Sequence, residues 1–325
     1  MTSRKPREMS RLSLHSPLAK RMTIHAAQLL SRTYIRYGPT VGRRSMYEFY
    51  QKNLAWHACV QTVRMRDGPR IQLIMPDIIS ETIYLTGQWE PTITAYVRSA
   101  LLPGEAFIDI GANIGYYSLL ASKLVGKNGR VYAIEASPSI FSQLAHNIAI
   151  NGCANVVPIH AAAGSVPGMV PVFRGPQSNR GHTTIVASLS QKERLEQDGL
   201  VRCDRLDRLI DTEALKAARL IKIDVEGAER LVLSPLFESL DKFNKNTEWL
   251  LELSPEYCAG GQEDVDTIFN VFIAKGYRVY SIRNEYTPEF RLHPPRRIEL
   301  NRLFESPRLR QCDVLMTRSP IENQR

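Results

Sequence analysis

The chain has 325 residues, 43% hydrophobic and 23% charged, which is the balance of a soluble globular protein that can bury its own core. No run of about 18 uncharged apolar residues occurs, so no membrane-spanning helix is expected, and collagenous, coiled-coil and wholly disordered readings are excluded. The net charge is +9, and residues 1–44, with ten Lys or Arg against the single acid Glu8, account for all of it; the body is neutral, which disfavours a nucleic-acid groove spread over the fold.

Residues 1–44 read as a basic N-terminal extension. Their Arg-rich, Ser-containing composition also fits an organellar transit peptide. A helix over 17–36 would align Leu18, Met22, Ala26, Leu29 and Leu30 on one side. Its Arg and Lys residues would suit an anionic membrane surface. The alternatives are a disordered tail or a helix packed on the body.

Residues 45–104 read as a helical and hairpin segment. The hairpin spans Thr62 to Met75 and turns at Asp67-Gly68. Helical patterns follow over Asp77–Thr86 and Pro91–Leu102, and Pro103-Gly104 breaks the chain. From 105 to 318 strands and helices alternate. The strands are Phe107–Ile110, Arg130–Ile134, Asn155–His160, Leu220–Ile223, Trp249–Leu253, Tyr277–Ile282 and Cys312–Met316. Helices are expected over Ile114–Val125, Pro138–Ile150 and Asp264–Lys275, and from about Glu226. Residues 164–204, rich in Gly and Pro, read as irregular with short strands. Repeated βαβ units predict an α/β fold with a mostly parallel sheet and helices on both faces. Cys59, Cys153, Cys203, Cys258 and Cys312 form no C-x-x-C pair, and reduced thiols in the cytoplasm are expected.

In such a sheet, ligands bind beyond the carboxyl ends of the strands. Four strands end in carboxylates here: Asp109, Glu135, Asp224 and Glu252. Burying charges at random strand ends is costly, so this set reads as a ligand site. Gly111 and Gly115 allow a tight turn with close backbone approach, and a side chain at Gly111 is expected to strike the ligand. Glu135 lies 24 residues after Gly111, where an acid can accept both hydroxyls of a ribose. Asn113 and Tyr116 replace the second and third glycines of the dinucleotide fingerprint, which counts against a nicotinamide dehydrogenase. No G-x-x-x-x-G-K-[ST] loop is present. Asp109 disfavours a phosphate and favours a cationic ligand. S-adenosylmethionine, with an ammonium, a sulfonium and a ribose, fits these residues.

The stretch F-I-D-I-G-A-N-I-G-Y-Y-S from Phe107 resembles the first motif of class I S-adenosylmethionine-dependent methyltransferases. Together with I-K-I-D-V-E-G-A-E from Ile221, and with Gln88-Trp89-Glu90-Pro91 upstream, it resembles the FkbM family over about residues 80–285. Ala136 departs from the proline that the family commonly carries after the ribose acid. The resemblance implies a Rossmann-like class I methyltransferase sheet and methyl transfer, usually to oxygen, on sugars, polyketides or other small products. It implies that Asp109, Gly111, Asn113 and Gly115 frame the methionine end and that Glu135 holds the ribose. Asp224 and Glu226 would face the reacting centre or the cofactor.

Methyl transfer to an alcohol is helped mostly by positioning, and also by a general base. Asp224 is the first candidate, with His182 and His160 behind it and Glu226 and Glu252 in reserve. Phe173 and Arg174 are candidates for lining the acceptor pocket. No metal is expected, since no further ligands cluster with Asp224 and Glu252. The expected function is an O-methyltransferase acting on a small molecule, sugar or glycan. The alternatives are an RNA or protein methyltransferase, or a cofactor-binding protein without turnover. The expected location is cytoplasmic, with residues 1–44 at a membrane periphery.

Overall fold

The computed structural model describes residues 17–305 and 311–321. The first segment forms α1 (Pro17–Tyr37), α2 (Arg43–Asn53), the hairpin β1 (Cys59–Arg64) and β2 (Arg70–Met75), α3 (Ile78–Thr86) and α4 (Pro91–Ala100). Next come β3 (Ala106–Ile110), α5 (Tyr116–Val125), β4 (Arg130–Glu135), α6 (Pro138–Asn151) and β5 (Val156–His160). An insertion holds β6 (Ala162–Ala163), β7 (Gly168–Arg174), β8 (Thr183–Thr184), α7 (Ala187–Glu193) and β9 (Glu196–Asp204). The chain closes with α8 (Leu206–Leu209), α9 (Thr212–Ala217), β10 (Leu220–Ile223), α10 (Glu229–Leu233), β11 (Glu248–Leu253), α11 (Gln262–Ala274), β12 (Arg278–Ile282), α12 (Pro288–Leu292), β13 (Leu300–Leu303) and β14 (Cys312–Thr317).

Local chemistry explains the helix starts. The Asp77 carboxylate accepts from Ser80 N at 2.8 Å and caps α3. Ser137 caps α6 through Ile140 N, and Pro138 occupies the first turn, where a missing N–H costs nothing. Pro91 does the same for α4.

The main sheet has the order β13-β12-β14-β11-β10-β3-β4-β5. β11, β10, β3, β4 and β5 run parallel, and β14, β12 and β13 are joined by antiparallel pairing. Apolar cores on the two faces include Leu119, Leu120 and Leu144 on one side and Ile221, Trp249 and Phe269 on the other. This is the expected Rossmann-like sheet. The chain leaves β3 towards β4 and β5, then returns to its other side as β10. The switch point, where a crevice opens, therefore lies between β3 and β10.

The insertion is more regular than its composition suggests. β6-β9-β7-β8 form a second sheet, with β7 and β9 antiparallel and a register shift between Val172 and Phe173. The helix expected from Glu226 starts at Glu229 instead, because Glu226 and Gly227 both have positive φ and make a turn.

The basic extension needs a larger correction. Residues 1–16 and the side chain of Leu18 lie outside the described residues. Of the readings open for this segment, α1 takes that of a helix packed on the body. Ile35 and Gln28 of α1 are buried, and Gln28 Nε2 donates to Leu54 O at 3.1 Å. The apolar side formed by Met22, Leu29 and Leu30 points outward instead. The packed face is Ile24, Ala27, Gln28, Ser31 and Ile35.

Ile35→Ala should therefore cost about 2–5 kcal/mol, the usual loss for truncating a buried aliphatic side chain. Urea unfolding should show a lower midpoint with an unchanged slope. A midpoint equal to wild type would mean that α1 is not held to the body.

Candidate active site

A cavity of about 220 Å³ opens at the carboxyl ends of the central strands. Gly111, Asn113, Glu135, His182, Asp224, Glu226 and Glu252 all line it, joined by Glu90, Tyr257 and Tyr286.

The floor is electrostatic. Lys222 of β10 is the direct cross-strand neighbour of Asp109 on β3. Its ammonium donates to Asp224 Oδ2 at 2.7 Å and lies 4.9 Å from the centre of the Tyr117 ring. Burial alone would depress the lysine, but Asp224, Asp109 and Glu90 outweigh it and raise its pKa. Lys222 is therefore a fixed cation inside an apolar strand.

Asp109 is buried at the end of β3. Its Oδ2 accepts from the Ser118 hydroxyl at 2.6 Å, while Oδ1 is buried with no hydrogen-bond partner. Gly111 has φ +80°, and an added Cβ would lie 1.8 Å from the Asp224 carbonyl oxygen. The collision expected with the ligand is thus one with the backbone just past β10. Asn113 has φ +52° and donates its N–H to Glu135 Oε2 at 2.9 Å. Ser137 N donates to the other oxygen, Oε1, at 2.8 Å. Burial pushes the Glu135 carboxyl up to about 7, against these backbone donors. Each oxygen accepts from one backbone N–H and keeps capacity for a further donor. Gly115, also expected at the cofactor, faces elsewhere. Its φ is +91° and a Cβ there would lie 2.7 Å from Leu144 of α6, so glycine is needed for the turn into α5 and for the space beside α6.

The two histidines part company. His182 is buried beside Glu226, with Nδ1 3.1 Å from Oε1, and its ring meets Tyr257 edge-on at 5.3 Å. Burial lowers its pKa, but the hydrogen bond and charge of Glu226 outweigh this and the net shift is upward. His160 is exposed at the end of β5 and stacks on Phe141 at 4.6 Å. It does not line the cavity, so the expectation that it could act there is corrected. Its strand lies two places from β3, on the far side of β4.

Two further residues, to which sequence pattern assigns no role, belong to the site. Glu90 is buried with φ +39°, and its carboxylate accepts from the hydroxyls of Tyr117 and Tyr286. Lys222 was signalled by a charge inside the apolar run Ile221-Lys222-Ile223. Glu252 on β11 faces Asp313 on β14 in direct register. Burial holds both carboxyls well above their ordinary range, helped by the charges of Asp224 and Asp313 at Glu252 and of Glu90 and Asp224 at Asp313. Among the described non-glycine residues, Glu90, Asn113, Glu226 and Arg194 have positive φ. The first three line this cavity, and such strain is characteristic of functional sites.

The profile of the FkbM methyltransferase domain matches residues 109–279, just over half of the chain. The protein belongs to the FkbM methyltransferase family. It is 29% identical over 168 residues to methyltransferase sdnD of Sordaria araneosa, covering 43% of this chain and 63% of that one. It is 38% identical over 74 residues to a protein-L-isoaspartate O-methyltransferase of Aeropyrum pernix, covering 22% of this chain and 28% of that protein. The chain thus spans less than two thirds of either relative. Among solved structures, an FkbM methyltransferase of Methylobacillus flagellatus is similar with a TM-score of 0.40 at 16% identity. That match covers 74% of this chain and 55% of that one.

The cofactor of this family member is S-adenosylmethionine, and the residues present fit it. Glu135 keeps two acceptor positions for a ribose, and Asp109 Oδ1 is a buried acceptor in need of a donor. The carboxylates around the cavity suit a cation. Glu135→Ala should weaken binding of S-adenosylhomocysteine about 10–150-fold, the worth of a charge-assisted hydrogen bond. Isothermal calorimetry checks this, and an unchanged affinity in a folded variant would remove Glu135 from the cofactor site.

Proposed function

We propose that this FkbM methyltransferase moves the methyl group to a hydroxyl of a small molecule, sugar or glycan, with His182 as the base. The observation that carries the reading is the His182–Glu226 pair on the wall of the cavity that Gly111, Asn113 and Glu135 also line. S-adenosylmethionine supplies an electrophilic methyl on a sulfonium. Glu135, on the cavity wall, would hold its ribose, and Asp109, buried behind that wall beside Lys222, would set the charge beneath it. Glu226 holds the His182 Nδ1–H, which leaves Nε2 to take the proton of the acceptor hydroxyl. Asp224 is the weaker candidate for that role, because its Oδ2 is bound by the buried Lys222 ammonium. A carboxylate with one oxygen already engaged by an ammonium serves better to orient the acceptor or the cofactor.

His182→Gln should lower kcat by about 10²–10⁴ while S-adenosylhomocysteine affinity changes little. A base works only when neutral, so activity should rise with pH through the histidine pKa. Glu226 raises that pKa, so Glu226→Gln should move the acidic limb to lower pH. The acceptor itself can be found by incubating cell extracts with methyl-labelled S-adenosylmethionine and identifying the labelled product by mass. A wild-type pH profile in Glu226→Gln would exclude this base, and label found only in RNA or protein would exclude the small-molecule reading.

We also propose that the outward face of α1 meets an anionic membrane surface. Met22, Leu29 and Leu30 are each more than half exposed on it. Lys20 and Arg21 of α1 are exposed and the helix carries no acid, whereas Arg32 and Arg36 turn to Tyr84 and the Arg64 carbonyl of the body. No helix among the described residues is long and apolar enough to cross a membrane, so contact would be lateral. The protein should sediment with phosphatidylserine vesicles at low salt, less so at high salt, and less after Leu29→Ser with Leu30→Ser. Equal sedimentation of both proteins would sink the idea.

A further inference from the structure

On the other side of the loop that carries His182 lies a second cleft, of about 780 Å³. Its walls include Arg174, Arg180 and Arg194, with Glu193 and Glu196 at the same opening. Arg174 ends β7, and Arg180 follows the short turn at 177–179. Asn179, Gly181 and His182, the immediate neighbours of Arg180, line the catalytic cavity. Gly175 N donates to His182 O at 2.8 Å and ties the two arms of the loop together. One short segment thus forms a wall of both spaces.

The arginines here are incompletely satisfied. The Arg180 backbone N–H donates to Asp77 Oδ1 at 3.0 Å, but its half-buried guanidinium makes no hydrogen bond or ion pair among the described residues. Arg174 Nε lies 3.2 Å from Asp198 Oδ1, yet it is buried and out of line for a hydrogen bond. Asp198 thus pairs with Arg174 through Oδ1 alone, while Ser137 and Ser139 hold its Oδ2. Burial first, and then the neighbouring Arg174 charge, destabilise the Arg180 cation; Asp77 and Asp198 offset this only in part. Two guanidinium groups that line one cleft with donors left over are matched to an oxyanion, which accepts planar, paired N–H bonds.

We propose that this cleft binds an oxyanion, a phosphate or a carboxylate, carried by the methyl acceptor. The proposal rests on the methyl-transfer reading above for the presence of an acceptor, and it adds the chemical class of what is methylated. An anionic tail held by Arg174 and Arg180 would fix the acceptor at the loop that presents His182. Remote binding of this kind positions the reacting hydroxyl without touching it.

Inorganic phosphate is the direct probe. Calorimetry should detect phosphate binding to the wild-type protein. Arg180→Gln and Arg174→Gln should each weaken it by about tenfold to a hundredfold. Glu135→Ala, which acts on the cofactor, should leave phosphate binding unchanged, so failure of the cofactor site and failure of the cleft are told apart. Once a turnover assay is in hand, phosphate should compete with the acceptor and not with S-adenosylmethionine. Arg180→Gln should raise the acceptor KM with little change in kcat. A hydroxylated acceptor should also be preferred when it carries a phosphate or carboxylate over its neutral analogue. Absent phosphate binding, or equal binding in both arginine variants with wild-type melting temperatures, would overturn the proposal. Phosphate that binds without competing against the acceptor would overturn it too, since the site would then belong to a free anion.

Discussion

The buried ammonium of Lys222 is the interaction on which the site depends. Asp109, Asp224 and Glu90 converge at the carboxyl edge of the sheet, and their charges would be costly without a cation inside the fold. Lys222 supplies it from the middle of β10, one strand from Asp109 and bonded to Asp224. With this charge in place, the edge can present several carboxylates to a cationic ligand while the core beneath stays apolar. Removing the lysine would leave uncompensated carboxylates, so this pairing is as much a condition for folding as for chemistry.

The remaining geometry is built on that floor. Gly111 carries the chain past the Asp224 carbonyl with no room for a side chain. Asn113 then binds Glu135 through its backbone and reaches Gly181 O through its amide at 3.4 Å. The cofactor loop is thereby coupled to the segment that holds His182. Glu226 closes the circuit: its carbonyl accepts from Thr184 at 2.8 Å while its carboxylate meets His182. The second sheet, which composition marked as an irregular stretch with short strands, is what brings these groups over the crevice.

The main sheet was legible in the sequence because its strands are short apolar runs separated by helical periods and punctuated by glycine and proline. The strand-end acids were legible for a related reason: a carboxylate at the end of a buried run is costly unless a cation or a ligand meets it there. The second sheet was hidden because β7 contains Pro171 and pairs with β9 across a gap in sequence, which no local pattern reports. The packed side of α1 was not legible because it is made largely of small and polar residues. Gln28 and Ser31 are buried there, whereas the larger Met22, Leu29 and Leu30 are outside. His160 looked equivalent to the other strand-end residues until the strand order put β5 at the rim. Glu90 stood in a loop ahead of the sheet, and only tertiary packing brings it between Tyr117 and Tyr286.

That strand order has a consequence for how these molecules coexist at high concentration. An open sheet has two rims, here β5 and β13, and an unpaired rim is a template on which another chain can add a strand. β5 has an exposed Pro158 at its centre, so a main-chain donor is missing from the strand. β13 is only four residues long and turns Asn301 and Arg302 to solvent. Brevity, a proline and a charge therefore guard both rims against amyloid-like growth. Extension of the main sheet from copy to copy is disfavoured at both ends.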